Sequence, residues 1–382
     1  MTLRAGLFAA AIISVVNISA SFGADLGLSV NDQGTLMRHG HPYRGIGVNY
    51  YDAFIRCLRK PGDDSYQKGF DELGAHGIPF ARFSAGAYLA DDVRLYLTDR
   101  DSYLRRLDEV VAAAEKAHVG LIASLFWSIS AVSEAVNEPR ARWADEDSAT
   151  RQLMRKYTQD IVSRYANSPA VWGWEFSNEL SLPLDRNPGS LPPERALSYD
   201  VFRSAALDFA GTVRKIDPRR IVLTGDSLPR PNAYHDSIMG TGGRDTEEQF
   251  AHILLRDNPG PFSPICIHAS RANEGAYFAD RPVSFQELLE TCVRIGRTAQ
   301  KPVYLEEFIP MPMQAQGASE ISGREYFSSE LQAIKGSKIP LASVWEYDRQ
   351  TVQDRFSLTF DNEQSYMLRM IAELDRSIQA QQ

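Results

Sequence analysis

Cysteine is scarce in this chain. Of 382 residues only three are cysteine, Cys57, Cys266 and Cys292. An odd count leaves at least one thiol unpaired, and their spacing matches no zinc-binding pattern. Histidine is little more frequent: His39, His41, His76, His118, His235, His252 and His268 are scattered along the chain. A metal-dependent hydrolase needs converging His and Asp ligands, and no such cluster is written here. Positive charge is in deficit, with a formal net charge of −8. Nucleic-acid binders usually carry a basic face, so no nucleic-acid partner is expected; neutral ligands are not excluded. No glycine-rich phosphate loop follows an early strand, which argues against an open dinucleotide-binding sheet. Linkers, repeats and low-complexity tracts are also missing, which points to one domain.

Long apolar runs are confined to the N-terminus. Arg4 precedes an apolar stretch from Leu7 to Val16, followed by Ser19-Ala20-Ser21-Phe22-Gly23-Ala24. This order of basic, apolar and small residues reads as a secretory signal peptide over 1–24, with an uncleaved anchor as the alternative. The stretch is too short for a comfortable membrane span. The expected location is secreted or periplasmic, with no stable membrane association after cleavage, and 25–382 is the folded domain. Export permits a disulfide, but no pairing follows from the sequence.

What is present is an alternation of short β-prone runs and amphipathic stretches. The runs are 43–50, 78–84, 119–127, 170–176, 220–224, 264–268, 302–308 and 340–346. The helical stripes are clearest over 102–118, 284–298, 320–334 and 364–378. Near-continuous apolar strands followed by helices indicate a parallel sheet covered by helices. Eight such units predict an α/β fold, the (β/α)8 TIM barrel, with an open doubly wound sheet as the alternative. Turn signals at Asp32-Gln33-Gly34 and His39-Gly40 predict a short N-terminal β-hairpin that plugs the barrel bottom. Long polar insertions after runs three, four and five predict a shaped cleft, because strand-to-helix loops build the active face of a barrel.

Two strand ends carry acids. The fourth run leads through Trp174-Glu175-Phe176-Ser177-Asn178 into Glu179, and the seventh ends in Glu306-Glu307-Phe308. Glycoside hydrolysis needs two carboxyls flanking the scissile bond, one protonated and one ionised. Glu179 has a plainer reading as a helix cap or a partner of Arg186. Alternation along a strand predicts that Glu306 and Glu307 do not both face the barrel axis.

The run from Trp174 to Glu179 resembles the tryptophan…asparagine-glutamate motif of glycoside hydrolase family 5, in the clan A retaining glycosidases. Lys301–Phe308 is similar to the same family's strand-seven motif. The resemblance implies Glu179 as acid/base, Asn178 as a sugar contact, and Glu307, which precedes the aromatic Phe308, as nucleophile, with Glu306 as the alternative. It also matches Arg82 to the arginine beneath the nucleophile, where a cation lowers a carboxylate's pKa. His268 matches an active-site histidine, and Trp345 a platform under the sugar, whose C–H faces pack on a ring. There are departures: Ile309 stands where a glycine is common, and Ser270 where a tyrosine is common, with Tyr277 nearby. Trp127 replaces a frequent histidine and is a candidate sugar platform. The resemblance implies a β-linked glycan substrate, mannan before β-glucan, and no cofactor or metal. A glycan-binding barrel without catalysis, or a metal-dependent hydrolase barrel, would be the competing outcomes.

Overall fold

The computed structural model describes residues 26–381 except 129, 187–196, 311–319 and 351–355, so the signal segment 1–24 lies outside the described residues. The chain begins with β1 (Leu28–Val30), β2 (Leu36–Arg38) and β3 (His41–Pro42), an antiparallel sheet. The expected hairpin is thus a three-stranded meander, because both turn signals are used: Gly34 and Gly40 each take a positive φ. Leu28 and Leu36 pack with Phe80, Trp172, Tyr304 and Leu341 in one buried cluster. The small sheet therefore closes the barrel's lower end.

Eight parallel strands follow: β4 (Gly45–Asn49), β5 (Phe80–Ser84), β6 (Gly120–Phe126), β7 (Val171–Ser177), β8 (Ile221–Leu223), β9 (Ile265–His268), β10 (Val303–Phe308) and β11 (Leu341–Val344). Their hydrogen-bonded order is β8-β7-β6-β5-β4-β11-β10-β9, a nearly closed (β/α)8 barrel. Among the described residues no ladder joins β8 to β9; a single antiparallel bridge pairs Val222 with Ser263. Asn258 stitches this seam. Its Oδ1 accepts from Thr224 Oγ1 at 3.0 Å and from the Cys266 amide at 2.9 Å, and its carbonyl accepts from Lys301 Nζ at 2.6 Å.

Alternation sorts the side chains. On β5, Phe80 belongs to the inner cluster, Ala81 and Phe83 to the outer core under the helices. Arg82 takes the next inward position, above Phe80. The helices come close to the sequence periodicity: Arg100–Lys116, Phe285–Thr298, Glu320–Ser337 and Ser365–Gln379. Two of them start on side-chain caps, Asp99 accepting from the Ser102 amide and Ser284 from the Glu287 amide. All three cysteines are buried free thiols. No described helix is long and apolar enough to cross a membrane.

Candidate active site

Arg82 organises the upper barrel. It is fully buried, and every N–H of its guanidinium finds an acceptor. Nε and Nη2 grip both oxygens of Glu175 at 2.8 Å. Nη1 reaches Asn49 Oδ1 at 3.1 Å and Glu307 Oε1 at 2.7 Å, and Nη2 reaches Asn178 Oδ1 at 2.8 Å. Such forked pairing makes burial of the charge tolerable. It also orients Asn178: with its oxygen committed to Arg82, its NH2 group is the end left to donate. Trp127 lies over the cation, its ring centroid 4.6 Å from Arg82 Cζ.

Glu179 stands just beyond β7 with φ +54°. Left-handed backbone is uncommon for a residue with a Cβ, and it persists only where the surroundings hold it. Here the Glu179 amide donates to the Gly225 carbonyl at 2.8 Å. Gly225 itself has φ +77°, and a Cβ on it would come within 1.7 Å of the Ser177 oxygen. Only glycine allows β7 and β8 to meet so closely here. The plainer readings of Glu179 do not apply. The following short helix takes its N-terminal acceptor from Asp226, whose Oδ1 lies 2.9 Å from the Ser181 amide. The charge partner of Glu179 is His268, at 3.1 Å, not Arg186.

At the end of β10 the register shifts against both neighbours, after Leu305. Strict alternation is broken, and Glu306 and Glu307 both face the axis, which corrects the expectation that only one would. Glu306 meets His268 Nε2 at 3.3 Å, while Glu307 Oε2 lies 3.5 Å from His268 Nδ1. Only Glu307 reaches the cleft: its side chain is 15% exposed and that of Glu306 is 0%. One ligating atom each of Glu179, His268 and Glu307 lie within 4.8 Å of one another.

The charges around His268 set its ionisation. Burial opposes a charged ring, but Glu307, Glu179 and Glu306 outweigh it and lift the pKa to about 10. The site therefore contains an imidazolium. Burial alone would raise Glu179, yet the His268 hydrogen bond and charge, with Arg82 and Ser227, bring its carboxyl below the ordinary value. For Glu307 burial prevails over His268 and Arg82, and nearby Glu179 adds to it, so its carboxyl lies above the ordinary value. Arg82 thus touches Glu307 as expected, without producing a net lowering in the unliganded site.

Aromatic rings line the cleft. Trp345, half-buried after β11, stacks on Tyr51 at 5.5 Å and lies 6.3 Å from Trp127, both pairs within 30° of parallel. A cavity of about 550 Å³ extends past Glu179, bounded by Tyr88, Trp127, Asn178 and Leu182. Tyr277 does not enter the site. Its hydroxyl donates to the Pro229 carbonyl and its ring packs against Phe250, while Ser270 caps a short 3-10 turn. Glu175 and Asn49 carry no assignment from the sequence, and Glu306, the alternative to Glu307 as nucleophile, is fully buried against His268. Glu175 had a signal: an acid inside an apolar strand implies a buried counter-charge, and Arg82 in β5 was the complementary anomaly.

Buried acids elsewhere give the fold a pH signature. Burial, with Asp257 adding, raises Asp185 to about 7, and burial raises Glu330 to about 8. A carboxyl whose folded pKa lies above its unfolded value, about 4, binds more protons folded than unfolded. Its contribution is complete below about pH 4 and is lost as pH rises through 7 to 8. Thermal unfolding is therefore expected to show a Tm at pH 5 at least about 3 °C above that at pH 8, roughly 2 kcal/mol for a chain of this length. A Tm that rises over this interval would contradict the burial of these acids as protonated groups.

No protein-family model matches the chain. Over 129 residues it is 30% identical to mannan endo-1,4-β-mannosidase F of Aspergillus fumigatus, a stretch covering 32% of this chain and 26% of that protein. The match thus spans about a quarter of the length of this curated relative. Among solved structures, the glycoside hydrolase family 5 mannosidase of Rhizomucor miehei superposes with a TM-score of 0.65 at 12% identity, covering 94% of this chain and 100% of that one. The catalytic domain of Thermobifida fusca endoglucanase Cel5A superposes with a TM-score of 0.55 at 14% identity, covering 90% and 96%. The solved structures share the barrel fold with this chain, and the sequence likeness to the mannan endo-1,4-β-mannosidase is local.

Proposed function

We propose that the protein is a retaining β-glycoside hydrolase acting on β-1,4-linked glycans, mannan-type before glucan-type. The carrying observation is the approach of two carboxyls from β7 and β10, Glu179 and Glu307, with oxygens within 4.8 Å. Retaining enzymes need about 5–5.5 Å between the two groups, and inverting ones considerably more. Glu307 is the nucleophile of this reading, because it is the acid at the tip of β10 that reaches the cleft. The order of substrates follows the mannosidase and endoglucanase neighbours. Export through the 1–24 segment is part of the same proposal.

In the first step Glu307 bonds to the anomeric carbon as the bond to the leaving oxygen breaks, and the Glu179 proton passes to that oxygen. Water then attacks the glycosyl-enzyme, Glu179 takes its proton, and Glu307 departs. Burial raises the proton affinity of Glu307 and His268 lowers that of Glu179, whereas the first step uses the proton on Glu179. His268 Nδ1 reaches both carboxyls, at 3.1 and 3.5 Å, and is the group able to carry it across. The two carboxyls are close enough to influence each other's titration, so a bell-shaped activity profile is the expected result. Asn178 offers its NH2 to a sugar hydroxyl, and Trp345 and Trp127 offer ring faces.

The Glu179, His268 and Glu307 cluster also has the composition of a metal site. Its donor chemistry favours the glycosidase reading: a ring with carboxylates at both nitrogens holds two protons and is itself a cation. The test is product analysis on manno- and cello-oligosaccharides, with NMR of the first-formed anomer and a parallel run in a strong chelator. The expected result is a β-configured product, faster release from manno-oligosaccharides, and activity unchanged by the chelator. An α-configured product, or loss of activity that metal restores, would overturn the proposal.

A further inference from the structure

The cavity beside Glu179 has an unusual charge. The chain as a whole is at −8, yet the charged residues lining this cavity are Arg186, Arg230 and Glu179 itself. Neither Glu307 nor Trp345 is among its described lining residues. Resting on the glycosidase reading, this fixes which side of the scissile bond the cavity serves. The nucleophile lies under the sugar that becomes covalently bound, and the acid lies beside the departing oxygen. Space bounded by the acid and not by the nucleophile receives the leaving group.

Among the described residues no carboxylate holds the guanidinium of either arginine within 4 Å. Arg230 Nε is buried without an acceptor, although its backbone amide donates to Asp185 Oδ2 at 2.9 Å. Asp185, which accepts that amide and feels the Arg230 charge, is fully buried and already faces Arg256 at 3.3 Å. A guanidinium presents a planar fork suited to a carboxylate. Two of them in one cleft of an otherwise acidic protein form a local positive field. We infer that the leaving-group side of this site recognises an anionic sugar, a uronic acid joined through its 4-oxygen to the cleaved β-glycosyl unit. The neutral apolar contacts of Tyr88 and Leu182 would pack the sugar ring, and the arginines would bind its carboxylate.

The test compares β-mannosyl-(1→4)-glucuronic acid with β-mannosyl-(1→4)-glucose, which differ only at C6, and the matching β-glucosyl pair. At low salt the acidic member is expected to show a kcat/KM at least about 10-fold higher, the size of one charge-assisted contact. That ratio should fall toward one in 0.5 M NaCl, where the Debye length is short. It should also fall in Arg186→Met and invert in Arg186→Glu. Arg186 is exposed, so both variants should fold; Arg230→Met extends the series. A wild-type ratio at or below one, or a ratio indifferent to salt and to the Arg186 variants, overturns the inference while leaving the glycosidase reading intact. Failure to cleave any of the four disaccharides, with manno-oligosaccharides still cleaved, overturns the inference alone; failure on the oligosaccharides as well sinks both.

Discussion

Glu307→Gln is expected to lower turnover of an aryl β-mannoside by at least about 10⁴-fold, because the step that forms the glycosyl-enzyme then has no nucleophile. Glu179→Gln should cost about 10²–10⁴-fold, the range of general acid catalysis, and its effect should depend on the leaving group. A strongly acidic phenol departs without a proton, so with it the first step survives and the glycosyl-enzyme accumulates as a burst. A poor leaving group shows the full loss. Steady-state and burst kinetics on a series of aryl glycosides separate the two roles. Equal losses in Glu179→Gln across the whole series would remove Glu179 as the acid. Glu307→Gln retaining more than about one part in a hundred of the activity would remove Glu307 as nucleophile. A non-catalytic glycan-binding barrel would show no turnover before any substitution.

Arg82→Met should damage stability and activity together. It leaves Glu175, fully buried, without the two 2.8 Å bonds that hold it. An uncompensated buried carboxylate costs about 3–5 kcal/mol. The double variant Arg82→Met/Glu175→Met removes both charges and should recover most of that loss, since apolar replacements of a buried pair are often neutral. Activity should not recover with it. Asn178 and Glu307 lose the same guanidinium, and misplacement by an ångström costs about 100-fold. Denaturant unfolding and kcat/KM, measured on all three variants, decide the matter. Recovery of activity together with stability would show that Arg82 serves the fold alone.

The barrel was legible because its grammar is repetitive. Each strand reads as a short apolar run, and a parallel barrel gathers all the strand ends on one face. A residue such as Arg82 or His268, placed at a run's end, is therefore also placed in space. Register is less legible. The shift after Leu305 turns Glu306 and Glu307 to the same side, and nothing in Val303-Tyr304-Leu305 signals it. The φ of Glu179 is equally silent, since it depends on Gly225 about forty-five residues later. Glu175 could have been assigned by charge balance with Arg82. The third strand of the cap was hidden in a two-residue segment, His41-Pro42, too short to show alternation.

The join between β8 and β9 carries a mechanical implication. A barrel without a full ring of ladders has a preferred line along which to open, and local opening follows the least-bonded path. Gly225, which fixes the backbone of Glu179, lies on one lip of that line, and His268, which touches Glu179 and Glu307, lies on the other. The amides flanking Asn258 should accordingly exchange with deuterium sooner than those at the β6–β7 contact. The elements that carry Glu179 and His268 are thus tied across this join by the side chain of one asparagine.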